Sequence, residues 1–289
     1  MSSLALDPAG QSHVDLDIDV EGINVHVELL GNGPPLVLLH GFTGSGGTWR
    51  ALAEALANDY TTLSVDLIGH GRTAHPGELE RYEMRRSVDD LASTLHALGY
   101  QQATWLGYSL GGRTALQVAV HRPDVVSSLI LAGASPGLAT PEERAERVAS
   151  DEVLAQRLER EGIEPFIDYW QSISLWDSQQ HTLNDEQRAT LRRGRLAQHP
   201  LGLANSLRGM GTGAQEWIGD RLGKIRVPVL LTAGTLDEKF SAIAEEMAQI
   251  IPRNAMHLIE GGGHAAHLER PDAFIALVRG FLSDVREQL

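Results

Sequence analysis

The stretch WLGYSLGGRTAL, Trp105 to Leu116, decides the fold. An apolar run stops at Gly107, shows the hydroxyl of Ser109, and passes through Gly111 and Gly112 into a helical pattern. A strand that turns sharply into a helix forces the residue between them into strained backbone and leaves its neighbours no room for side chains, so small residues are needed on both flanks. The serine then stands clear of the strand at a helix N-terminus. There the amide of Leu110 and the helix dipole face any negative charge beside it.

Working outward, short apolar runs alternate with amphipathic ones, the pattern of an α/β protein whose mostly parallel sheet is covered by helices on both faces. VDLDIDV and INVHVELLG alternate apolar and polar around Glu21-Gly22 and read as a leading hairpin. Continuous apolar strands follow at 36–40, 61–66, 103–107, 125–133, 227–234 and 256–261. That makes eight strands, the first two antiparallel. Helical patterns fill about 48–58, 85–98, 110–121, 239–250 and 271–286. Between 138 and 218 the rhythm changes to helix periodicity with caps such as Asn184-Asp185 and no strand. We therefore expect a core of residues 1–137 and 219–289, with an all-helical lid at 138–218 over the sheet edge where open α/β sheets bind ligands.

Composition limits the partners. The 289 residues carry a formal net charge of −14, which speaks against nucleic acid or an anionic membrane surface. Without cysteine there is neither a disulfide nor a thiolate metal site. MSSLALDPAGQ lacks the basic and apolar regions of a leader, and no apolar run approaches membrane-spanning length, so a cytoplasmic protein is expected. Oligomeric state, monomer or homodimer, is left open.

A serine hydroxyl is a poor nucleophile or base alone; it needs an imidazole, and the imidazole needs an acceptor that holds its tautomer. In this topology the acid follows a late strand. Asp237 lies just past VPVLLTAG, whereas the preceding strand ends in LAGASPG without an acid. Asp237 also reads as the N-cap of the helix beginning EKFSAIAEEM, and both roles stay open. In EGGGHAAH three glycines let His264 swing back over the sheet edge. His264 and His267 superficially resemble a metal pair, but no third ligand has suitable spacing, so a zinc site is not expected. Two amides would complete the site as an oxyanion hole: Leu110, and Phe42 in LLHGFTGSGGTW. That loop has neither GxxxxGK[ST] nor GxGxxG, so a nucleotide is not indicated. DLIGHGRT, 66–73, reads as a structural turn.

Arginines are the remaining signal. Arg113 lies one helical turn after Ser109 and should point toward the cleft. Residues 187–215 hold Arg188, Arg192, Arg193, Arg195 and Arg208 with no acidic residue, and Arg144 and Arg147 open the lid. Such residues also occur simply as solvated surface groups, and Glu143 and Arg147 are spaced to pair in water.

The chain order Ser109, Asp237, His264 and the strand pattern resemble the α/β-hydrolase superfamily over nearly the whole chain. Further segments, HGFTGS, GYSLGGR, SPGL followed by ERAER, FIDYW, LNDEQR, GTLDEKF and GGGHAAHLERP, resemble as an ordered set the MenH family, the 2-succinyl-6-hydroxy-2,4-cyclohexadiene-1-carboxylate synthases of menaquinone biosynthesis. The usual PGHG turn of relatives is IGHG here, with Ile68. The resemblance implies a carbon–oxygen lyase rather than a hydrolase, with need of neither a metal nor an organic cofactor. It implies that arginines matching Arg113, Arg147 and Arg195 bind the carboxylates of a small polycarboxylate substrate, and that Trp170 lines the pocket. Tyr108, beside the serine, then becomes a pocket wall. Two rival readings are an esterase or C–C bond hydrolase on the same triad, and a ligand receptor without catalysis.

Overall fold

The computed structural model describes residues 3–6 and 12–287; part of the opening segment read above as lacking a leader lies outside them. One nine-stranded sheet runs β1 (Ser3–Leu6), β2 (Ser12–Val20), β3 (Ile23–Gly31), β5 (Thr61–Val65), β4 (Pro35–Leu39), β6 (Ala103–Tyr108), β7 (Val126–Ala132), β8 (Val229–Gly234) and β9 (Asn254–Ile259) in spatial order. The eight strands read from sequence are all present. The ninth, β1, pairs antiparallel with β2 at the edge. From β5 through β9 all neighbours are parallel, and β3 joins them antiparallel. Glu21 and Gly22, both at positive φ, close the β2–β3 hairpin.

Alternate residues of the central strands feed the two faces, as a pleated sheet requires. Leu36 and Leu38 of β4 join one apolar cluster, which takes in Leu52 and Leu56 of α1 (Arg50–Leu56) and, near the C-terminus, Phe274, Val278 and Leu282. Val37 and Leu39 join the other, with Val88 and Leu91 of α2 (Met84–Ala97), Leu116 of α3 (Leu110–His121) and, beyond β8, Met247. Between β7 and β8 come α4 (Pro141–Glu161), α5 (Ile163–Ser172), α6 (Gln179–Thr182), α7 (Asp185–Leu196) and α8 (Pro200–Met210). Capping boxes at Thr140 and Asn184 start α4 and α7. These helices bury a small core of their own, built on Leu158, Phe166, Ile167, Leu203 and Leu207. The chain then returns through β8, α9 (Glu238–Ile250), β9, α10 (Ala266–Glu269) and α11 (Pro271–Glu287). Among the described residues no helix is long and apolar enough to cross a membrane.

The order β5-β4-β6 places the reversal of winding between β4 and β6. Crevices for ligands open at such a point. Leu39 pairs with Gly107, so the loop after β4 and the turn after β6 leave the sheet side by side.

Candidate active site

Ser109 sits at φ +52°, ψ −110°, in a region that side chains rarely adopt. Its flanks explain the glycines. A Cβ on Gly107 would strike the carbonyl of Gly111, and one on Gly111 would strike the carbonyl of Leu39. The turn therefore closes only with both positions bare, and it lifts the hydroxyl off the sheet.

Residues distant in sequence meet at this hydroxyl. Ser109 Oγ lies 3.0 Å from His264 Nε2, and His264 Nδ1 lies 2.7 Å from Asp237 Oδ2. With Nδ1–H donating to the carboxylate, Nε2 is free to accept the serine proton. Asp237 and His264 are both buried. Asp237 fills its capping role as well: Oδ1 accepts the amide of Phe240 at 3.3 Å. The two readings are thus the two oxygens of one carboxylate.

The loop after β4 passes directly over this relay, since a Cβ on Gly41 would lie 2.6 Å from the Tyr108 ring. Among the described residues no hydrogen bond uses the amide of Phe42 or of Leu110. His40 shapes the loop from beneath. Its Nδ1 lies 2.8 Å from the Gly41 carbonyl, and its Nε2 accepts the amide of Leu67 at 3.1 Å. That pattern needs a neutral ring, and burial holds its pKa down at about 4. The DLIGHGRT segment is structural as expected: Asp66 accepts the amides of Gly46 and Arg72 at 2.6 and 2.7 Å.

A hollow of about 230 Å³ opens above Ser109 and His264. Phe42, Tyr108, Leu110, Arg113, Arg147 and Trp170 all line it, together with Lys239 of the GTLDEKF segment and Trp176, which no sequence motif marks. Tyr108 packs its ring against His264 and His267, and burial pushes its hydroxyl pKa well up. Trp170 meets Phe42 edge-on, 5.3 Å between ring centres.

The arginines divide. Arg113 donates from Nη1 to the Met210 carbonyl at 2.9 Å and to the Gln215 side chain, which fix its guanidinium without neutralising it. Burial, then the nearby Arg147, push its pKa down to about 9. Arg147 pairs through Nε with buried Asp151 at 2.8 Å, not with Glu143, which caps Thr140 instead. Arg195 departs from expectation. It lines a neighbouring cavity of about 530 Å³ between the loop after β4 and α7, with its guanidinium 4.8 Å over the Trp176 ring. Its helix turns it inward, but the bulk of Trp176 separates it from the serine side. Arg188, Arg192 and Arg208 are used in ion pairs with Asp185, with Asp168 and Glu164, and with Glu152 and Glu159; Arg144 binds the carbonyls of Leu138 and Ala139. His267 lies buried against Trp49, Tyr108 and Phe274.

A strained serine at a strand-to-helix turn, a histidine and a late-strand aspartate define a class. The chain belongs to the α/β-hydrolase fold family, whose model matches residues 34–271. Within that fold it belongs with the 2-succinyl-6-hydroxy-2,4-cyclohexadiene-1-carboxylate synthases. It is 34% identical over 252 residues to the synthase of that name from Yersinia pestis bv. Antiqua (strain Nepal516), covering 87% of this chain and 88% of the relative. A protein of Bacillus subtilis (strain 168), provisionally named as the same synthase, is 42% identical over 250 residues, 86% of this chain and 90% of the relative. Among solved structures, MenH from S. aureus superposes with a TM-score of 0.85 at 35% identity, over 88% of this chain and 94% of that one. A thermophilic esterase from Thermogutta terrifontis, with malate bound, gives 0.79 at 25% identity over 94% and 98%.

Proposed function

We propose that the protein eliminates pyruvate from 2-succinyl-5-enolpyruvyl-6-hydroxy-3-cyclohexene-1-carboxylate, giving 2-succinyl-6-hydroxy-2,4-cyclohexadiene-1-carboxylate in menaquinone biosynthesis. The observation that carries this reading is the pair Arg113 and Arg147 lining the same hollow as Ser109 and His264. A neutral ester needs no guanidinium there. A tricarboxylate does, and charge-assisted, two-pronged bonds to carboxylates are what arginine supplies.

On this reading His264 takes the Ser109 proton, and the resulting alkoxide removes a ring proton from the substrate. Electron density moves toward the succinyl carbonyl, where the unused amides of Phe42 and Leu110 receive it. Each such donor is worth about 2.7–4 kcal/mol in a transition state. The ring electrons then expel the enolpyruvyl oxygen, breaking its C–O bond; the expelled enolate takes its proton from the His264 imidazolium, which resets the relay, and leaves as pyruvate. Asp237 holds the imidazolium that forms. Arg113, Arg147 and, from the adjoining cavity, Arg195 hold carboxylates; Tyr108 and Trp170 wall the ring. Residues 138–218 act as the lid that dries these charges. An attraction of about 1 kcal/mol in bulk water at 4 Å becomes roughly 4 kcal/mol near a protein surface.

The test is direct. With substrate made in situ from isochorismate and 2-oxoglutarate by the preceding synthase, pyruvate should appear in step with enzyme. Arg113→Ala should cut that rate steeply. The same relay also suits acyl transfer, and the malate-bound esterase shares the fold. Clear turnover of aryl esters with no pyruvate release would make the chain an esterase.

A further inference from the structure

We propose that Glu269 is the residue that positions His264, and that it ties the helical insertion to the loop carrying that histidine. Glu269 is 3% exposed. Its Oε2 accepts the amide of Gly263 at 2.8 Å and the hydroxyl of Thr182 at 3.2 Å; its Oε1 accepts the amide of Ala265 at 3.3 Å. The two amides belong to the residues immediately before and after His264. One carboxylate thus grips the backbone on both sides of the imidazole, and the third donor comes from α6 of the insertion.

No arginine, lysine or histidine among the described residues forms an ion pair with this carboxylate. A buried carboxylate held only by neutral donors is costly, and that cost is tolerated where the group fixes something. Capping of α10 accounts for the bond to Ala265 alone. The bond to Gly263 lies outside that helix, and it explains the glycine: a Cβ there would come within 2.9 Å of Glu269 Oε2 and collide with Ser178 of the insertion. The His264 ring must satisfy contacts of 2.7 and 3.0 Å at once. A misplacement of about 1 Å in such a relay costs on the order of 100-fold in rate.

This rests on the reading of Ser109, Asp237 and His264 as a working triad. The experiment is Glu269→Gln in the full chain, an isosteric change that turns one acceptor into a donor facing an N–H. We expect kcat for pyruvate release to fall by about 10- to 100-fold with KM within about two-fold. Fluorophosphonate labelling of Ser109 should slow in parallel, and the far-downfield proton resonance of the His264–Asp237 hydrogen bond should broaden or vanish. Wild-type kcat with that resonance unmoved, even at a lower melting temperature, overturns the proposal and leaves Glu269 a helix cap. Should Glu269→Gln not fold, Glu269→Asp, which keeps the charge but retracts it, must show the same loss in kcat; wild-type kcat in that variant also overturns it. If the wild type labels at Ser109 yet releases no pyruvate, the lyase reading alone fails, and the labelling rates still decide the role of Glu269.

Discussion

The guanidinium of Arg195 lies 4.8 Å over the ring of Trp176, and the centre of that ring is 5.8 Å from that of His264. Arg195 is 5% exposed, and its guanidinium forms no ion pair or hydrogen bond among the described residues. Burial takes its pKa from 12.5 to about 10, a bias of about 3 kcal/mol against the charged form. The ring returns about 0.5–2 kcal/mol as a cation–π contact. Arg195→Met should therefore raise the melting temperature by about 2–4 °C while weakening substrate binding. Thermal melts beside KM for pyruvate release check it. A lower melting temperature would mean that the ring compensates the charge in full.

Asp237 divides its two oxygens between His264 and the amide of Phe240. Asparagine caps a helix about as well as aspartate but presents the wrong tautomer partner to the imidazole. Asp237→Asn should keep the melting temperature within about 2 °C and lower kcat by roughly 10⁴-fold. A loss of less than about ten-fold would reduce Asp237 to its cap.

What could be read from sequence follows from how local each signal is. Gly107 and Gly111 mark Ser109 because the turn's steric demand is met within five residues of chain. The strand rhythm gives the sheet for the same reason. Arg113 follows from helix periodicity, one turn from the serine. Gln215 has no such mark, since it acts through a partner set by tertiary packing, Arg113, 102 residues away. Glu269 lies within GGGHAAHLERP, but its bond to Thr182, 87 residues away, has no local sign. Arg195 stands out in sequence only as one arginine of an acid-free stretch, and the family resemblance gives it a binding role. Which cavity it faces is not legible there, because Trp176, on a separate turn, decides that.

Acid should unfold this protein through its buried histidines. Burial holds His40 at about 4 and His70 and His267 at about 3, against 6.5 when exposed. Below pH 6.5 the unfolded chain binds three protons that the folded chain refuses, so stability falls as pH falls, by up to about 4 kcal/mol per pH unit. Asp90, raised by burial to about 6, works in the opposite sense between pH 6 and 4 and removes about one proton from that difference. Melting temperature should drop steeply between pH 6.5 and 4, and His267→Phe should flatten the slope by about 1.4 kcal/mol per pH unit. An unchanged slope in that variant would show that His267 titrates normally in the folded state.

Strain at Ser109 gives the last prediction. Its φ of +52° with ψ of −110° is held by β6 on one side and α3 on the other, and backbone of this kind stores about 1–3 kcal/mol. Glycine removes the strain at an entropic cost of about 0.5–1 kcal/mol. Alanine removes the hydroxyl but keeps the Cβ that causes the strain. Both variants should release no pyruvate by this route, but Ser109→Gly should melt about 2–4 °C above Ser109→Ala. Paired melts of the two inactive proteins isolate the backbone term, since neither has the hydroxyl. If Ser109→Gly melts at or below Ser109→Ala, the turn is unstrained, and the exposure of the serine has to be explained by the packing of Gly107 and Gly111 alone.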